Sequence, residues 1–349
     1  MSVEGKKRIQ SVDVLRGLTV ALMIFVNNGH GTPVEWLKHS VWNGMTLCDM
    51  VFPMFIFLMG LSINFSHRAT VGAILRRALT IILICWGIQW LSWCCKGEWW
   101  PWGHIRLTGV LVRIALTYVV TALLCRRLSV RALARAAGGL LVLYSALLLL
   151  GNGYANDSSN ILAVVDHAVI GPKHLYTKTP IDPEGLLGTV SSVAHALLGY
   201  LCGLILLDKD ESYGVRLRRM GLYGVALLAA GLLVSVWMPL NKRIWSPSFV
   251  LVNCGAGALV LAALVWLVDV KGIGKWSRWA EKFGRNALAA YIFSEILEVL
   301  AGASGLSDML YGALSHLAGN SAVCSLIYAS IFVLTSYIFV AFWYKKRHF

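Results

Sequence analysis

KHSVWNGMTLCDMVFPMFIFLMG, residues 38–60, passes within a few positions from a loop holding a histidine, an Asn-Gly turn and an aspartate into an unbroken apolar run. The run continues to residue 66 and matches the ~20 residues an α-helix needs to cross a bilayer. Similar runs recur at 12–28, 78–95, 108–125, 136–151, 188–207, 220–238, 249–269, 286–303 and 321–343. The sequence thus predicts an all-α, polytopic membrane helix bundle with about ten spanning helices, residues 1–349 forming a single transmembrane domain. Composition agrees. The chain is 58% hydrophobic and 14% charged, with a mean hydropathy of +0.68, where a soluble domain carries about 25% charged residues.

Charge sorts the connections between these runs. Of 31 lysines and arginines, 23 fall in the N-terminal stretch, in every second connection and in the C-terminal tail; seven fall in the remaining connections, and Arg113 alone interrupts a helix. By the positive-inside rule both termini are then cytoplasmic. The net charge of +14 becomes a feature that meets the lipid bilayer's inner leaflet, and a nucleic-acid partner is not expected. Lys6, Lys7 and Arg8 ahead of a short apolar core resemble a signal peptide, but Asp13 and Arg16 interrupt the pattern, and VNNGHG at 26–31 is no small-x-small cleavage site. The eight cysteines lie in or at the ends of apolar runs, which suggests neither a disulfide framework nor a metal site.

Ionisable groups inside spanning helices are costly unless paired or wet, so each is a candidate functional residue. Asp13 and Arg16, three apart, form one helical pair. Asp49 has two readings: the N3 position of a capping box with Thr46 at the N-cap, or a partner for a catalytic group. Pro53 leaves the Asp49 carbonyl without its helical donor and predicts a kink. Arg113 is expected to pair with Glu295 or Glu298, or to hold a ligand phosphate. Asp182-Pro183-Glu184 reads as a helix start. Gly185, Gly188, Ser192, Gly199 and Gly203, with His195 nearby, read as tight helix packing or as room for an extended ligand. Tryptophans 86, 90, 93, 99, 100 and 102 suggest an interfacial belt. His39 is a loop histidine without a cysteine to share a metal, and an Asn-Gly turn beyond it can fold it over the bundle mouth.

Six strings resemble, in order along the chain, the heparan-α-glucosaminide N-acetyltransferase family: SVDVLRGLTVALMIFVNN (11–28), KHSVWNGMTLCDMVFPMFIFLMG (38–60), GVLVRIALTY (109–118), DPEGLLGTVSSVAHALLG (182–199), PLNKRIWSPSFVL (239–251) and GRNALAAYIFSE (284–295). The resemblance implies an integral enzyme of a bacterial cytoplasmic membrane. It would move an acetyl group from cytosolic acetyl-CoA to the amine of a glucosamine-containing sugar or glycan acceptor on the far side. The resemblance puts the catalytic histidine at His39 and a partner asparagine at Asn27, with Asn28 the alternative, and Asp49 is the candidate to orient the imidazole. Arg16, Arg113, Lys282, Arg285 and Asn286 are candidates for the coenzyme; Asn43, Glu184, Asn241, Lys242, Arg243 and Glu295 for the acceptor. Nothing here matches the extra N-terminal lumenal domain of the animal enzyme, which leaves the acceptor open. A homodimer is a candidate assembly. The competing functions are an amino-sugar permease, with Arg113 and Glu295 at mid-membrane, and O-acylation of an envelope glycan.

Overall fold

The computed structural model describes residues 9–31, 34, 37–66 and 69–346; Lys6, Lys7, Arg8, Arg68 and Arg347, all counted in the charge asymmetry, lie outside them. Thirteen α-helices follow one another, with no strand among the described residues. They are α1 (Gln10–Asn27), α2 (Leu47–Ile63), α3 (Val71–Cys94), α4 (Val110–Arg127), α5 (Val130–Leu150), α6 (Ile161–Val169), α7 (Gly188–Leu206), α8 (Tyr213–Ser235), α9 (Pro247–Leu264), α10 (Arg278–Arg285), α11 (Ala287–Ala303), α12 (Leu306–Ala318) and α13 (Ser321–Lys346). A π-helical turn, Val265–Val270, prolongs α9.

Side chains set several of these starts. Thr70, Ser129, Ser212 and Ser246 each accept the amide three residues on, at 3.2, 3.3, 3.4 and 3.3 Å. Every expected apolar run is helical, though not all ten are long and apolar enough to span by length and composition. Among the described residues eight helices are long and apolar enough to span, or nine if α10 and α11, bent by 74° at their junction, form one broken span. The shortfall has a physical cause in α4, where Arg113, Arg126 and Arg127 share 18 residues. Short α6, α10 and α12 were not anticipated.

α2 and α7 form the centre. At Gly60 an added Cβ would lie 2.0 Å from the Ala196 carbonyl oxygen, and at Gly199 2.2 Å from that of Phe57, so the two backbones touch where both helices are smallest. Packing is therefore what the small residues of α7 do. α2 runs unbroken through Pro53. Side chains of α4 and α9 close around this pair in one core. The outer helices turn apolar residues outward, such as Leu75, Leu79 and Leu83 on α3 and Leu222 and Leu232 on α8. Apolar surface both inside and out is what a bilayer requires of a helix.

α1 and α10 lie against each other closely enough that a Cβ on Gly17 would collide with the Ala280 carbonyl. Their ends share an ionic cluster: Asp13 meets Arg16 at 3.0 Å and Arg285 at 4.0 Å, and Arg285 also pairs with Glu281. Gln10 donates to Glu281 at 2.9 Å and Arg16 to Ser62 at 2.8 Å. At the opposite end of α1, which we call the rim, the α1–α2 and α8–α9 connections meet. Gly44 donates its amide to the Leu240 carbonyl at 2.7 Å, and Nδ2 of Asn241 donates to Oδ1 of Asn43 at 3.1 Å.

Candidate active site

Asp49 resolves its two readings by using both oxygens. Its Oδ2 accepts the Thr46 amide at 3.1 Å and the Ser40 amide at 3.0 Å, which caps α2 and folds the preceding loop onto it. Its Oδ1 lies 2.8 Å from Nδ1 of His39. The Asp49 side chain is 1% exposed and that of His39 50%, so a fixed carboxylate holds a ring that remains open to solvent. A carboxylate can only accept, so Nδ1 carries a proton, and in the neutral ring the lone pair is then on Nε2.

Lys242 completes the group from the α8–α9 connection. Its Nζ lies 3.1 Å from Nδ1 and 3.5 Å from Nε2 of His39, and 3.6 Å from Asp49. Nδ1 has one in-plane direction, and Asp49 at the shorter distance takes it; the ammonium then stands beside the ring as a positive charge. Asn241 fixes this connection. Its Oδ1 accepts the Ile244 amide at 3.2 Å while its own amide donates to Ser246 at 3.1 Å. Arg243 is half-buried beside it. Cys48, which sequence reading left among the helix cysteines, puts its sulfur 3.2 Å from Nδ1 and 3.6 Å from Nε2 of His39. Its position one residue before Asp49, in the first helical turn, was the available signal.

Beneath this group Trp245 is fully buried with φ at 54°, an unusual backbone for a bulky residue. Its ring meets Phe52 at 5.2 Å and His195 at 5.9 Å. The Arg113 guanidinium lies over it at 5.2 Å and donates to the Gly185 carbonyl at 2.8 Å. The expected pairing of Arg113 with Glu295 or Glu298 is therefore corrected: the cation stacks on an aromatic face and tethers a loop. Glu184 also has a protein partner. Arg106 holds it at 2.7 Å and Asp182 at 2.5 Å. Burial opposes the Arg106 charge, but the two carboxylates outweigh it and raise its pKa further. For Asp182 burial acts upward, and Arg106 with Thr108 more than reverses it. Asp166 on α6 differs. Burial pushes it up to about 6, with Oδ1 accepting the Leu186 amide at 2.8 Å and Oδ2 without a partner among the described residues.

The remaining candidates fall into two places. Asn27, exposed at the end of α1, bonds through its side chain to Glu295 of α11, which also faces Tyr291. Asn28 is buried, and its amide donates back to Ile24 at 2.8 Å. At the other end of α1, Arg16 and Arg285 belong to the Asp13 and Glu281 cluster, while the Asn286 amide donates to the Lys282 carbonyl at 3.3 Å. Arg113 does not join them: it sits under the rim. No group of three or more His, Cys, Asp or Glu side chains suited to a metal occurs among the described residues.

Residues 8–175 match a family model described as heparan-alpha-glucosaminide N-acetyltransferase, catalytic. The heparan-alpha-glucosaminide N-acetyltransferases of Homo sapiens and Mus musculus are each 30% identical to the chain over 361 and 360 residues, covering 83% of it and 53% and 54% of their own lengths. The chain spans about half the length of these curated relatives. His39, Cys48, Asp49 and Arg113 fall within the stretch matched by the family model, whereas Lys242 and Glu295 lie beyond it. These matches place the chain among the relatives of the heparan-α-glucosaminide N-acetyltransferases, with its His39–Asp49 pair inside the part that corresponds to their catalytic region.

Proposed function

We propose that the chain is a membrane-embedded acetyltransferase that carries an acetyl group from acetyl-CoA to the amine of a glucosamine-containing sugar, with His39 as general base. The observation that carries this reading is the 2.8 Å approach of a half-exposed imidazole to a buried, doubly capped carboxylate. A half-exposed imidazole whose Nδ1 proton is held by a carboxylate is suited to take a proton on Nε2 from an attacking amine. The new C–N bond forms as the thioester C–S bond breaks. The amine proton passes to Nε2 of His39 and from there to the departing thiolate. As the carbonyl oxygen gains negative charge, the Lys242 ammonium at the ring edge stabilises it. Asn27 and Glu295 form a second polar group toward the same end of α1, and we assign them to the acceptor, whose ammonium Glu295 would attract.

Sidedness follows from charge in this proposal. The basic ends of the bundle face the cytosol, and the rim with His39 faces outward. The acyl donor then comes from the compartment opposite the acceptor, and the domain sits in a bacterial cytoplasmic membrane. The ionic cluster at the inner end of α1 is committed to its own pairs, so the coenzyme phosphates would be met by exposed cations of the inner connections and not by Arg16 or Arg285.

The test is turnover by purified protein with labelled acetyl-CoA and a glucosamine acceptor. His39→Ala is expected to lower it by about 10²–10⁴-fold. Equal turnover in variant and wild type would remove His39 from the chemistry.

A further inference from the structure

A second feature lies outside the chemistry at the rim. α1, α10 and α13 enclose an open slot of about 610 Å³, lined by Leu18, Leu22, Phe25, Trp279, Val333 and Tyr337 among others, with almost no polar surface. That volume falls in the range of specific ligand pockets, roughly 300–1,000 Å³. Near one end stands a lysine. Lys282 places its Nζ 3.4 Å from the Tyr337 hydroxyl and 5.8 Å from that ring's centre. Among the described residues Lys282 has no acidic partner, whereas its neighbour Arg285 is paired with Glu281 and Asp13. The approach to the same end is basic and aromatic, with Lys271, Lys275, Trp276, Arg278 and Trp279 exposed.

We infer that this slot binds one anionic phospholipid, its acyl chain along α1 and its phosphate at Lys282. The chemistry selects the occupant. A coenzyme would set pantetheine amides and ribose hydroxyls against carbon, leaving them without hydrogen bonds at a cost of several kcal/mol. An acyl chain loses nothing there. The ammonium at one end and the indole groups at headgroup depth then match a phosphate on a glycerol backbone. The slot's lining shares no residue with the group at His39.

The test uses the full chain in nanodiscs of mixed phosphatidylglycerol and phosphatidylcholine, released for native mass spectrometry. Wild type is expected to retain one phosphatidylglycerol in preference to phosphatidylcholine. Lys282→Gln removes the charge from a polar side chain one atom shorter and should lower that preference about fivefold, the effect of one cation near a membrane surface. Leu22→Trp fills the slot and should abolish retention, with its melting curve confirming a folded protein. Equal retention of the two lipids by wild type, undiminished preference in Lys282→Gln, displacement of the lipid by added coenzyme A, or a lipid-free dimer seated on α13 would each overturn the proposal.

Discussion

The two ends of α1 both gather charged residues, and they use them in opposite ways. At the inner end Asp13, Arg16, Glu281 and Arg285 close on one another, so each charge is spent on its neighbour. At the rim Asp49 is satisfied by amides on one oxygen and offers the other to an imidazole that still faces solvent. Intramembrane charge by itself therefore does not mark a reactive site. What marks one is a buried support beneath an exposed group whose own capacity is left over.

The sharpest way to break this contrast is to remove charge at the rim without removing the cap. Asp49→Asn still accepts the Thr46 amide, so unfolding should change little while turnover falls by about 10²-fold or more, the scale of an acid–base contribution. Asp49→Ala should add a capping loss of about 1 kcal/mol. If Asp49→Asn turns over like wild type, the carboxylate is a cap and nothing else. At the inner end the expectation inverts. Asp13→Ala takes its carboxylate partner from Arg16, leaves Arg285 on Glu281, and should cost about 2 kcal/mol of stability, read by thermal unfolding in detergent, with activity per folded molecule unchanged. A loss of turnover matching that of Asp49→Asn would erase the distinction between the ends.

Asp166 supplies a graded case between them. Its pKa in the folded chain, about 6, lies above the ordinary carboxylate value, so the fold favours the protonated form. Stability from that proton is complete below pH ~4 and is lost as the pH rises through about 6. Asp166→Asn should therefore match wild type near pH 4 and exceed it by about 2 kcal/mol at pH 8, an order-of-magnitude figure from a shift of about two units. A variant that gains nothing at pH 8 would mean the unpartnered oxygen is satisfied when charged. Asp182 moves the other way: Arg106 holds its pKa down, and that stabilisation fades as the solution is acidified. The smallest effect belongs to Cys48. Its sulfur packs beside His39, and Cys48→Ala should alter turnover by less than about threefold, under ~1 kcal/mol in barrier. A hundredfold fall would make the thiol a participant.

The helices were legible because apolar length is a local property. All ten runs are helical, and only the decision on which of them span depends on details such as the three arginines of α4. The Asp13–Arg16 pair and the Thr46–Asp49 cap were legible for the same reason, being three residues apart. Long-range meetings were not. Lys242 reaches His39 across 203 positions, through a turn whose geometry rests on Asn241 and on the positive φ of Trp245. Arg113 pointed to a carboxylate by charge alone, and the fold sets it on a tryptophan face instead, with Nε and Nη1 buried without a hydrogen-bond partner among the described residues, which no spacing rule encodes. Lys282 was grouped with the coenzyme by sign alone, and its contact with the Tyr337 hydroxyl, 55 positions away, was not legible.

Asp269 sits in the π-helical turn after α9 and accepts the leading amides of α1, from Gln10 at 3.0 Å and Ser11 at 3.2 Å. The start of α1 is thus finished by a carboxylate synthesised about 259 residues later. During biogenesis those two amides lack Asp269 until the turn after α9 has been made, so the start of α1 is completed late.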